Sequence, residues 1–299
     1  MMATRDFVTT PQSSDSDSNS TWVIAWRRFR RHRLAMFSLF VLGLFTAASI
    51  LVPLFITERQ SNRINLSNAL QPPSMQHPFG TDDIGRDIMQ RSVFGGRVSL
   101  RIGLLAALVA VLIGSTVGAI AAFYGGWLDN VLMRVTDAFL SIPNLFFLII
   151  AAKLFGQSIV VITLVIGALS WMGVARIVRA NILSLKEQEF VTAAHALGAR
   201  SASVITKYLM PNTIGPIVVA ATLGVGQAIL LEATLSFLGL GLQPPTASWG
   251  TMLQRAQGFL VTAPWVAFFP GSLILITVVC VNFVGEGLRD ALDPHSRQG

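Results

Sequence analysis

Residues 34–56 run for 23 positions without a charge, enough for a helix to cross a bilayer core of about 30 Å. Five more apolar runs follow, at about 102–123, 139–155, 159–178, 214–235 and 266–284. Lipid offers a backbone no hydrogen-bond partners, so runs of this length are constrained to be helices. Charged residues make up 12% of the chain, against roughly 25% in soluble domains, and they fall mainly between the runs. The expected fold is all-α, a polytopic membrane protein with six transmembrane helices. No small-residue cleavage site follows the first run, which is therefore read as a retained anchor.

The charges also orient the chain. Five arginines in WRRFRRHR stand immediately before the first run, the place where the positive-inside rule puts them. With the N-terminus inside, segments 1–33, 124–136, 176–210 and 285–299 face the cytoplasm and hold 14 of the 22 lysines and arginines. Orientation thus accounts for the net charge of +7, and the expected contact is membrane lipid, with no nucleic acid. Residues 1–20, rich in Ser, Thr and Asp, are expected to be disordered.

No chemistry is legible along the chain. There is no GxxxxGK[ST] phosphate loop, HExxH or GxSxG, and neither a catalytic residue nor a cofactor is expected. Cys280 is the only cysteine and lies in an apolar run, so no intrachain disulfide forms. The four histidines are scattered. Asp82, Asp83 and Asp87 do not follow the order of an EF-hand loop, and Arg86 and Arg91 neutralise them, so no metal is expected either. Gly114 and Gly118, four apart in an apolar run, predict close helix packing.

The polar interruption at 181–211 is the informative stretch. Phe190, Ala194 and Leu197 recur at i, i+4 and i+7, marking one face of a helix that Gly198 ends. Ser201 is placed to cap a second short helix, and Pro211 to stop it. The result is a cytoplasmic elbow, and Ala193, Ala194 and Ala196 leave room on it for another surface. The segment 236–264 has one charge, Arg255, and is broken by Gly239, Gly241, Pro244, Pro245 and Gly250. It is too irregular to span and too apolar for a free loop, which predicts a re-entrant or interfacial segment buried against protein.

The motifs in these stretches resemble a known family. Thr192-Ala193-Ala194, then Gly198 and Pro211, resemble the EAA loop of ABC importer permeases, although Thr192 stands where glutamate is usual. FGTDDIGRDIMQRSVFGGRVSL, LSFLGLGLQPPTASWGTML with the preceding Glu232, and GEGLRDALDP resemble the second permease of dipeptide, oligopeptide and nickel importers. The resemblance implies a type I importer permease that couples through Thr192, Ala193, Ala194, Gly198 and Pro211. It also implies four kinds of partner or setting: a paralogous permease subunit, two cytoplasmic ABC ATPase subunits, an external or periplasmic substrate-binding protein, and the bacterial plasma (inner) membrane. Glu232, Ser236, Trp249 and Gly250 are candidates for an outer gate.

The expected layout is a basic cytoplasmic tail at 1–33, the first span and external loop at 34–97, a permease core at 98–294, and a short tail at 295–299. The competing reading is a self-contained secondary transporter or channel. Such carriers place ionisable groups at midplane, whereas Arg101, Lys153 and Glu232 lie toward the ends of their runs.

Overall fold

The computed structural model describes residues 21–292, so the tail at 295–299 and the stretch at 1–20 lie outside the described residues. All regular elements among the described residues are helical. They begin with α1 (Thr21–Arg31), α2 (Arg33–Phe55) and the single turn α3 (Glu58–Ser61). Next come α4 (Ile88–Tyr124), α5 (Gly126–Leu140), α6 (Asn144–Phe155), α7 (Ile159–Ala168) and α8 (Trp171–Lys186). The elbow contributes α9 (Glu189–Ala196) and the short α10 (Ser201–Val204), followed by α11 (Met210–Phe237), α12 (Trp249–Ala256) and α13 (Trp265–Leu292).

Five stretches are long and apolar enough to cross a membrane: α2, α4, Ile159–Lys186, Ser201–Phe237 and α13. The remaining expected span, 139–155, is not a straight helix. Pro143 marks a break at which α5 and α6 bend by 84°, and the pair counts as a sixth span only when taken together. α6 alone has 12 residues, about 18 Å, short of the bilayer core.

Two further boundaries differ from the sequence expectation. α4 starts at Ile88, so 88–97 belong to a 37-residue helix of about 55 Å rather than to an external loop. Apolar content alone hid this start, because the first turns carry Arg91 and Arg97. Asp87 caps the helix by accepting the Gln90 N–H at 2.9 Å, and the loop between α3 and α4 surrounds Arg91 with Asn62 and Asp82. At the other end of the chain, α13 runs on past the apolar stretch to Leu292.

α4 is the central element. α8 lies against it where Gly114 and Gly118 remove side-chain bulk: a Cβ on Gly118 would come within 2.4 Å of the Ala175 carbonyl oxygen. The small-residue pattern therefore has α8 as its partner. α11 covers another side of α4, and α13 packs on α11 and α2. Two ion pairs tie α5 to α8, Arg179–Asp129 at 2.6 Å and Arg176–Asp137 at 2.5 Å. Lys186 Nζ donates to the Phe123 carbonyl at 3.0 Å, which fixes the end of α8 to the end of α4.

Candidate functional site: an elbow and a buried hub

The elbow begins where α8 ends. Val191 and Ala194 turn inward, and Val191 joins a core with Ile182, Val204 and Leu209. Thr192 and Ala193 point outward. The face expected from Phe190, Ala194 and Leu197 is thus not one face: Ala194 is buried, while Phe190 is exposed and Leu197, beyond the end of α9, is 89% exposed. Spacing found a helix here but assigned its sides wrongly, because the exposed face holds large apolar residues too.

Gly198 sits at φ +79° with open space around it, so backbone conformation and not crowding calls for glycine. The Ala199 N–H donates to the Ala194 carbonyl at 3.0 Å, closing the helix end as a glycine cap does. The second arm departs from expectation. Ser201 is the first residue of α10, after Arg200, and its side chain makes no cap.

Pro211 does not stop the helix. Ile205–Leu209 widens into a π-helical turn in which the Met210 N–H bonds the Ile205 carbonyl, and α11 continues through Pro211. A proline presses its ring on the carbonyl four residues back and offers no N–H; a locally widened turn relieves both conflicts. The elbow's second arm and α11 therefore form one continuous member.

The second site lies near the opposite end of α11. Glu232 is fully buried and its carboxylate gathers three serines: Ser236 and Ser248 each donate to Oε1 at 2.7 Å, and Ser99 donates to Oε2 at 3.2 Å. Ser248 also caps α12 through the Thr251 N–H at 3.1 Å. The Trp249 N–H reaches Ser99 Oγ, and its indole N–H donates to the Ser92 carbonyl at 2.9 Å. A Cβ on Gly250 would stand 2.6 Å from the Ala233 Cα, so only glycine lets α12 seat on α11 this closely. Glu232, Ser236, Trp249 and Gly250 are thus brought together, and 236–264 folds back against protein. Ser99, Ser248 and Ser92 complete the hub. Ser99 and Ser92 meet Glu232 and Trp249 across 133 and 157 positions, and nothing in their local sequence marks a lone serine as such a partner.

Outside the hub, Asp82 accepts from Arg86 Nε at 2.7 Å, and Arg255 stands 3.8 Å from Asp83. Asp82 and Asp83 are thus engaged by arginines, while Asp87 faces His77 Nδ1 at 2.8 Å. Among the described residues, no group of three or more His, Cys, Asp or Glu side chains is placed to hold a metal ion.

Comparison with known proteins places this architecture. Residues 114–298 match the model of the binding-protein-dependent transport system inner membrane component. Residues 20–73 match the N-terminal TM domain of oligopeptide transport permease C. The chain is 40% identical to the dipeptide transport system permease protein DppC of Alkalihalophilus pseudofirmus, over 96% of this chain and 94% of that protein. It is 42% identical to the oligopeptide transport system permease protein OppC of Bacillus subtilis, over 94% and 92%. Among solved structures, the MetNI methionine ABC transporter in an inward-facing conformation shares the fold, with TM-score 0.57, 18% identity, and coverage of 69% of this chain and 96% of that one. With both the family model and full-length relatives in agreement, the chain belongs to the binding-protein-dependent transport system inner membrane components, as a permease subunit of the OppC/DppC kind.

Proposed function

We propose that this permease forms half of the translocation path of an ATP-driven importer for peptides or a similar small solute. Its partners in this reading are a paralogous permease, two cytoplasmic ABC ATPases and an external substrate-binding protein. The observation that carries the proposal is the elbow. Thr192, Ala193 and the 89%-exposed Leu197 stand outward on a frame held by buried Val191 and Ala194. An apolar side chain that exposed, on a stretch too polar for lipid, is suited to a protein partner. The arginine bias supports cytoplasmic N- and C-termini, which puts the elbow on the side of the ATPases.

Glu232, Ser236, Trp249 and Gly250 serve in this reading as the rigid base of the outer gate, joining α12 to α11 and α4. Thr192, Ala193, Gly198 and Pro211 serve in coupling. Ala194 has a supporting part, since its side chain faces inward. A self-contained carrier is disfavoured because the elbow would then present Leu197 to water with no occupant.

The test is a cysteine at position 197, with the native Cys280 replaced by serine. Cross-linking to a co-expressed ATPase subunit is the expected result. If no ATPase product forms while uptake persists, the elbow is not the docking element.

A further inference from the structure

α1 is a separate helix and not an extension of the first span. The backbone is extended at His32, whose Nδ1 accepts the Ala35 N–H at 3.1 Å to start α2. α1 packs instead on the end of α13. Ala25 and Phe29 are its buried side, and a Cβ on Gly287 would fall 2.4 Å from Ala35 Cβ and 3.1 Å from the Phe29 ring. The opposite side stays open: Val23, Trp26, Arg27 and Arg30, at i, i+3, i+4 and i+7, are exposed, as are Arg31 and Arg33. Trp26 stacks on the buried Phe29, with ring centroids 5.9 Å apart, so its indole is held in place while still exposed. Beside this face a shallow groove runs to α13, lined by Arg28, Arg31, His32, Gly287, Asp290 and Ala291. Asp290 is the one acid on it, 3.9 Å from His32 Nε2.

This strip ends where a membrane span begins, which sets it at headgroup depth. Guanidinium groups match phosphate oxygens as planar forks, and an indole with one apolar side is suited to the same depth. We propose that the arginine face of α1, with the groove against α13, is a binding site for an anionic phospholipid. Phosphate oxygens meet Arg27, Arg30 and Arg31 while acyl chains cover Val23 and Trp26. Nucleic acid would use the arginines but leave Val23 and Trp26 uncovered.

The full chain, with any copurifying subunits, is extracted in mild detergent and equilibrated with mixed micelles of phosphatidylglycerol and phosphatidylcholine. Retained lipid is counted by native mass spectrometry. Wild type is expected to keep phosphatidylglycerol in preference to phosphatidylcholine. Each basic residue near an anionic surface contributes about fivefold, so Arg27→Gln/Arg30→Gln/Arg31→Gln loses on the order of 100-fold in that preference. The same positions changed to lysine keep most of it, which separates charge from folding. Arg59→Gln/Arg63→Gln, exposed beyond the other end of α2, leaves it unchanged. Equal retention of both lipids overturns the proposal, as does an unaltered preference in the glutamine variant. Displacement by equimolar inorganic phosphate would reduce the site to a simple anion site, and tighter binding of a single-stranded oligonucleotide would reassign it; either result also overturns it.

Discussion

The Ser99 hydroxyl of α4 donates to Glu232 of α11 at 3.2 Å and accepts the Trp249 N–H at the same distance. One small side chain thus joins α4, α11 and the start of α12. Its two bonds use the one donor and one acceptor that this geometry asks of a hydroxyl. Because Glu232 sees no solvent, each partner it loses goes unsatisfied.

Glu232→Ala is expected to destabilise the purified protein by about 1–3 kcal/mol, the cost of stranding buried hydrogen-bonding groups. Glu232→Gln keeps a carbonyl acceptor and should lose less. Thermal unfolding in detergent decides the matter; an unchanged midpoint for Glu232→Ala would show that the hub does not hold α12.

Position 194 and position 197 should separate folding from docking. Ala194→Glu places a charge at a buried position of α9, so it lowers stability and yield. Leu197→Asp acts on an exposed residue; it should leave stability within about 0.5 kcal/mol while abolishing ATPase association. Pull-down alongside thermal unfolding reads both effects, and the reverse pattern would put the docking face on the other side of α9.

Gly118→Leu should be severe. Its Cβ would meet the Ala175 carbonyl at 2.4 Å, and separating α4 from α8 costs about 1–3 kcal/mol or more. Gly173→Ala is the control, because no atom lies within 4 Å of a Cβ there. Comparable losses in the two variants would remove the α4–α8 contact as the explanation.

Topology is checked by single cysteines in a Cys280→Ser background. Ala202→Cys, on the elbow, is expected to react only with reagent admitted to the cytoplasm, and Ser74→Cys only from outside. Ala202 begins one span and Ser74 lies in the connection between two others, on opposite sides under the six-crossing arrangement, and labelling from one common side would refute it.

The five long spans, the elbow and the return of 236–264 against protein were legible because each follows from long apolar runs or from their interruption, whereas the 84° bend between α5 and α6 was not. Gly198 was legible for a similar reason: a glycine after a helical stretch signals a positive φ whatever packs nearby. Residues 88–97 were not, since a helix start that carries Arg91 reads as loop until its partners Asn62 and Asp82 are known. Ala194 was misassigned because an alanine looks alike on either face of a helix. Ser99 and Ser248 escaped for the plainest reason, that their roles exist only when distant segments meet at Glu232.

The widened turn at Ile205–Leu209 has a mechanical consequence. Ser201–Phe237 is 37 residues, about 55 Å, of helix with no joint at Pro211. It behaves as a crankshaft, with the elbow at one journal and the Glu232 carboxylate near the other. In the proposed coupling, a small rotation imposed at Ser201 is expected to reach the seat of α12 as torque, where a helix stopped at Pro211 would have let it slip.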